Sequence, residues 1–567
     1  MSVSYINKAS GVYFTETDLT AYSSGNITIG ACVVTPTVKG KAFVPTSVTS
    51  YQQFADFFGT TFKSGSDYYE YQGSLLAKEY FNNGGDTLLV VPIKSGSYSP
   101  ATSTVTSPNT SASFIIETLN DGSILNNSGS EIANSSGSLT LGTVDNIRWE
   151  VANSDTSRGT FSLLVRRGDD NAKKPIVLEQ FDNLSLDPTS TDYISNKIGD
   201  SVYVYDSVNK ILNKSGSYPN KSKFIRISSV LQKTPNYFDN AGNVNPLLSG
   251  SLPANSSGSF SGGSDGKITH PQAFFENISG SNSQGYDSTT TAYDTAIDLL
   301  SNKDDFQFNL LFLSGISAET HPAIFTKALG MVEGRGDALL VGDAVSYGRK
   351  DTDAISVASL YDSNYGTLYY NHVQIPSTGL NKNVWVTPST VVAGVYAYIK
   401  KYKQPFYAPA GYNNGSLSSV VTSQVKLSEK QKDALNKGNV NFISKHPAYD
   451  YVVLGQNTLQ KKQTVLDKNN VRLMLIEAKF NLTVIGNKYI EEQASGKTII
   501  SLKNDINAYL EKLIKDYGIS AYSTTIDDSP ETIDRGEIQI KIELIPIKAI
   551  EKIVFNLVLR ETGAVLA

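Results

Sequence analysis

Residues 68–94, YYEYQGSLLAKEYFNNGGDTLLVVPIK, decide how this chain is built. Tyr68, Tyr71, Leu75, Leu76 and Tyr80 recur at helical spacing, so a helix is predicted over 68–82. Asn82-Asn83-Gly84-Gly85-Asp86 then breaks it, since these residues favour turns and left-handed backbone. Thr87–Ile93 follows as a nearly unbroken apolar run, the pattern of a strand buried on both faces. Upstream, Ile27–Val34 reads as a strand and Thr49–Phe58 as a short helix. Strand, helix, helix, strand is the opening of an α/β layer.

Composition changes at Lys94. From 95 to about 145 the chain is rich in Ser, Thr, Gly and Asn, as in SGSYSPATSTVTSPNTSAS, with short strands expected at Phe114–Glu117 and Leu139–Leu141. Further strands are expected at Thr160–Arg166 and Pro175–Phe181, and turn chemistry returns over 235–290. The α/β alternation resumes with a strand at Phe306–Leu313, a helix at His321–Glu333 ended by Gly334, strands at Asp337–Val341 and Val384–Val386, and a helix at Pro388–Lys401. Such alternation implies a largely parallel sheet, interrupted between about 95 and 300 by a β-rich insertion. In the last third, Leu502, Ile506, Tyr509, Leu510, Leu513, Ile514 and Tyr517 mark an amphipathic helix with Gly518 as its C-cap. Ile538, Ile540, Ile542 and Leu544 alternate with Glu537, Gln539, Lys541 and Glu543, the signature of a half-buried strand ended by Pro546. Ile553, Phe555, Leu557 and Leu559 make one face of a final strand.

A chain of 567 residues exceeds a single core and calls for several domains. A net charge of −5, with no basic run longer than Lys461–Lys462 or Lys400–Lys401, argues against nucleic-acid binding. No apolar stretch is long enough to cross a membrane as a helix. The start, MSVSYINKASGVYFTE, lacks a basic segment followed by an apolar run, so no secretory signal is expected. The single cysteine, Cys32, forms no internal disulfide and lies in an apolar stretch as a small core residue.

Catalytic motifs are missing. Gly266-Lys267 lacks the surrounding glycine and Ser/Thr of a phosphate loop. Gly262-Gly263-Ser264-Asp265-Gly266 matches GxSxG, yet neither a buried strand precedes it nor a helix follows, so it reads as a turn. His270, His321, His372 and His446 are isolated, with no metal-ligand spacing. No catalytic residue, no metal, no cofactor and no enzymatic activity is expected.

Several segments, in order along the chain, resemble the contractile tail sheath family of myophages and related injection systems. Gly11–Asp18 (GVYFTETD) resembles the family's PGVYxxExD start, with Ser10 in the proline position. Thr28–Gly59 resembles its strand, KGP turn and TSxxxFxxxFG helix, with Lys41 for proline. Leu75–Ile93 is similar to FFxNGGxxxxVVRV, Val177–Tyr193 to a stretch of the large phage sheaths, and Ser261–Gly266 to the GGxDG turn. Lys403–Leu417 (KQPFYAPAGYNNGSL), Leu435–Phe442, Gly455–Leu459, Val471–Leu473 and Gly536–Phe555 resemble later family motifs.

The resemblance implies a multi-domain α/β protein: an arm at 1–22, a discontinuous core at 23–94 and 300–415, an outward β-rich insertion at 95–299, an inner α+β domain at 416–550, and a second arm at 551–567. It implies a structural subunit that forms sixfold rings stacked helically around an inner tail tube protein, with baseplate and tail terminator proteins as further partners. The sheath would contract from a metastable extended state and drive the tube through an envelope, with no membrane insertion and no nucleic acid bound. It would reside in the virion tail after assembly in a bacterial cytoplasm. Val12, Tyr13, Phe14, Thr15, Glu16 and Thr17, together with Ile553, Phe555, Leu557 and Leu559, would be strands exchanged between subunits. Ile538, Ile540, Ile542 and Leu544 would lie on the accepting strand, and Lys503, Lys512 and Lys515 would face the tube. The alternative is a tail-surface adhesin or receptor-binding module that uses the Ser/Thr/Asn-rich 95–300 region.

Overall fold

The computed structural model describes residues 30–64, 67–94, 96–127, 142–170, 175–206, 208–239, 241–266, 292–527, 529, 532, 537–551, 553 and 555. The chain enters on β1 (Gly30–Pro36), buried at every position, followed by β2 (Thr46–Val48) and α1 (Tyr51–Phe58). Ser50 caps α1 by accepting the Gln53 N–H, while Phe54 and Phe58 form its buried face. The helix expected over 68–82 is shorter. Thr61–Ser64 (β3) and Asp67–Glu70 (β4) pair as a hairpin, and α2 spans only Gln72–Asn82. Tyr68 is therefore an exposed strand residue. Aromatic contacts decide this: Phe62 lies 6.1 Å from its cross-strand partner Tyr69 and stacks on Tyr71 at 4.7 Å. The break after α2 holds Gly84 at φ 95, and a Cβ on Gly85 would meet the Tyr80 ring at 2.2 Å. β5 (Leu88–Ile93) follows, fully buried.

The segment between carries β6 (Tyr98–Thr106), β7 (Ala112–Asp121), β8 (Ile147–Asp155), β9 (Thr160–Arg167), β10 (Val177–Leu184), β11 (Val202–Asp206), β12 (Ile211–Ser215), β13 (Ile225–Val230), β14 (Ser256–Ser259) and β15 (Ser264–Asp265), with short helices α3 (Ile194–Ile198) and α4 (Pro246–Ser249). The strand expected at Leu139–Leu141 lies outside the described residues. Two four-stranded antiparallel sheets, β13-β7-β6-β15 and β10-β9-β8-β14, share one apolar cluster around Phe114, Ile116, Trp149, Phe161 and Leu163. Val38 and Tyr71 from outside the segment belong to that cluster. The same seam holds ion pairs Lys41–Asp121 at 2.8 Å, Lys94–Asp265 at 2.7 Å and Lys39–Asp145 at 3.0 Å.

The second half supplies α5 (Ala292–Leu300), β16 (Phe308–Leu313), α6 (Pro322–Arg335), β17 (Leu339–Asp343), α7 (Asp351–Ala358), β18 (Gly366–Tyr370), β19 (Val373–Ser377), β20 (Lys382–Val386), α8 (Pro388–Tyr402), β21 (Thr422–Ser423), α9 (Glu429–Lys437), β22 (Val440–His446) and β23 (Asp450–Leu454). An eight-stranded sheet runs β2-β5-β1-β16-β17-β18-β22-β23, parallel except for its two edge strands. It therefore takes β22 and β23 from beyond the division expected at 415. Its two faces carry separate apolar clusters, one including residues of α1, α2 and α8, the other including residues of α5, α6 and α7 together with Cys32. The helix expected to end at Gly334 continues to Arg335 and stops at Gly336, which is left-handed at φ 70 and donates its N–H to Val332 O. Val384–Val386 belongs to a separate antiparallel sheet, β20-β19-β21. The outer edge of β23 is covered by the APAGYNNGSL segment: Gly411 N–H bonds Val453 O, Val453 N–H bonds Gly415 O, and Leu417 N–H bonds Tyr451 O.

The chain closes with α10 (Asn469–Asn487), α11 (Gly496–Lys515), β24 (Ile519–Asp527) and β25 (Gln539–Pro546). Ser495 caps α11 by accepting the Thr498 N–H, and Ile499, Leu502, Ile506, Leu510 and Leu513 form its buried stripe. Gly518 is not the left-handed residue at its end. Tyr517 adopts φ 61, and Gly518 donates to Leu513 O at 2.9 Å. Glycine at 518 serves close packing instead, since a Cβ there would lie 3.0 Å from the Phe406 ring.

Candidate assembly surface

β24 and β25 form a two-stranded antiparallel sheet. Strict alternation in β25 puts Ile540, Ile542 and Leu544 half-buried on one face and Lys541 and Glu543 exposed on the other. Ile538 is half-buried too, immediately before the strand. The inner face rests on the core cluster that includes Leu502, Ile506 and Leu510 of α11. Among the described residues neither long edge of this sheet carries a third strand. Beside β25 opens a cavity of about 730 Å³, walled by Ile538, Ile540, Ile542, Leu502, Ile506 and the α10–α11 connection around Tyr489 and Ile490. That connection was missed in the sequence; its only signal is the apolar pair Tyr489 and Ile490 beyond the end of a helix.

Past β25 the chain turns over the start of α10. Ile547 N–H bonds Gly518 O, and Asn470 donates to Ile547 O. Beyond this point Ile550, Ile553 and Phe555 are 82%, 70% and 83% exposed. Neither Ile553 nor Phe555 lies on a strand of this subunit. Leu557 and Leu559, and all of Val12–Thr17, lie outside the described residues. Lys503, Lys512 and Lys515 are exposed on α11. At about 100° per residue, Lys503 and Lys512 sit on opposite flanks of its polar half, with Lys515 between them.

Asp265 lies on β15, a short strand paired with β6 where a turn was expected, and accepts from Lys94 and from the Ser123 backbone and hydroxyl. Asp343 is fully buried and accepts from the Ser389 N–H at 2.8 Å and its hydroxyl at 2.6 Å, and burial pushes its pKa up to about 6. Burial lowers His372 to about 4. Burial also raises the Cys32 thiol far above its ordinary value.

Residues 461–560, which contain both C-terminal helices and the β24–β25 sheet, match the phage tail sheath C-terminal domain family. The chain is 28% identical over 225 residues to a tail sheath protein of Vibrio phage KVP40, covering 38% of this chain and 32% of that protein. It is 26% identical over 205 residues to a tail sheath protein of Enterobacteria phage T4, covering 36% and 31%. The chain thus spans about a third of the length of the curated relatives it matches. The crystal structure of a sheath tail protein from Listeria innocua has a TM-score of 0.54 to this fold at 10% identity, covering 91% of this chain and 95% of that one, a likeness of fold. The likeness to phage tail sheath proteins is thus carried by the family match at residues 461–560 and by partial matches to curated tail sheath proteins.

Proposed function

We propose that this chain is the structural subunit of a contractile tail sheath, polymerising around an inner tube and contracting from an extended, metastable state to drive that tube through an envelope. The observation that carries the reading is the two-stranded β24–β25 sheet. Its inner face is apolar, a cavity flanks β25, and the chain leaving it presents Ile553 and Phe555 to solvent. Strands from other copies, residues 12–17 of one and 553–559 of another, fit those open edges by backbone hydrogen bonding. A backbone ladder survives repacking of side chains, so bodies can slide while staying joined. In this reading Lys503, Lys512 and Lys515 make releasable contacts with an acidic tube, since exposed ion pairs contribute only ~0–1 kcal/mol each. The work comes from the free-energy difference between two packings and needs no nucleotide. Sixfold rings, the baseplate and a tail terminator complete the expected partners.

Negative-stain microscopy of the purified chain tests the reading. Tubes are expected from the full chain, and deletion of residues 1–20 is expected to leave folded monomer without tubes. Discrete oligomers from the full chain, or unchanged tubes from the deletion, would contradict it.

A further inference from the structure

The root of the C-terminal segment is tied down by charge. Lys468 Nζ lies 2.8 Å from one Glu551 carboxylate oxygen and 3.0 Å from the other, and Gln456 donates to the same carboxylate. Beside it Lys548 is 3.8 Å from Asp467, a looser contact. Adjacent residues of opposite sign, Asp467 and Lys468, thus face Lys548 and Glu551 across the joint. Close in sequence to this crossing, Gln456 Oε1, Asn469 Oδ1 and Asn470 Oδ1 are buried acceptors without a hydrogen-bond donor among the described residues. Buried acceptors are ordinarily paired, so the polar packing here is slack. The apolar tail begins immediately after the tight pair, at Ile553 and Phe555.

We infer that Glu551 and Lys468 form an ionic latch that sets the direction in which the C-terminal segment leaves its own subunit, and so which neighbouring copy it reaches. The inference rests on the strand-exchange reading above. An apolar segment free to swing beyond Ile547 would sample many directions and lose entropy on docking; a latched root removes much of that loss before the neighbour arrives. The latch is polar and partly solvated, with Glu551 side-chain exposure at 38%, so it can yield when bodies rotate. Lys548 and these unpaired acceptors offer it a second set of partners once it moves.

The test uses the full chain with Lys468→Glu, Glu551→Lys and the two combined, measuring melting of the unassembled protein and the sedimentable polymer fraction. Each single variant is expected to melt like the parent yet lose polymer by about fivefold or more, and the charge swap to regain most of it. Glu551→Gln, which leaves the Lys468–Asn457 contact intact, is expected to behave like the other single variants. About 1 M salt should bring the parent toward the single variants. Single variants that polymerise like the parent, or a double variant no better than either, would overturn the latch. A truncation removing residues 552–567 separates the two ideas: unchanged polymer from it sinks strand exchange itself, whatever the latch variants do.

Discussion

Asp343 and His372 set opposing pH dependences. Folding raises Asp343 from 3.8 to about 6, so the stability it contributes is present below about 4 and is lost as pH rises through 6. Folding lowers His372 from 6.5 to about 4, so its contribution is present above 6.5 and is lost as pH falls toward 4. Asp343→Asn removes the first slope and leaves the second. Melting curves from pH 4 to 7 should then show the variant gaining on the parent as pH rises, by up to about 3 kcal/mol. A constant difference would show that Asp343 does not titrate in this window. Lys94 and Asp265 give a second comparison. Asp265→Asn leaves a fully buried ammonium without its partner and should cost about 3 kcal/mol, whereas Lys94→Met leaves a carboxylate with partial solvent access and should cost less. The identity of these residues was legible in the sequence; their pairing across 171 positions was not, because nothing local couples them.

Elements with a strong period were read correctly in kind. The alternation of β25 and the stripe of α11 each depend on local spacing alone, and the fold keeps both. Where aromatic spacing fitted two periods, local reading failed: Tyr68 suits a helix at that spacing, but the contacts of Phe62 with Tyr69 and Tyr71 select a hairpin. Helix ends were also misplaced, since a glycine signals a stop without saying whether the left-handed residue is itself or its neighbour. At the end of α11 that residue is Tyr517, largely exposed at φ 61. Tyr517→Gly should therefore raise stability by about 1 kcal/mol, read as a higher melting temperature. A decrease would show that the tyrosine ring makes a contact outweighing its backbone strain.

For the whole molecule, the interrupted parallel sheet was legible because a composition change at Lys94 and a resumed alternation past 300 bracket it. The closing strands β22 and β23 were not assigned to that sheet, since their pairing spans a separate small sheet and a covering loop. Three ion pairs and a shared apolar cluster join the inserted sheets to the core, contacts between residues far apart in sequence. Strand β25 was legible by its alternation, but the cavity beside it and the Lys468–Glu551 ion pair needed the fold. A cryo-EM reconstruction of the polymer tests the central claim most directly. It should place a third strand beside β24 or β25 that belongs to a different copy of the chain. Termini that pair only within their own subunit, leaving the β24–β25 edges bare, would contradict it.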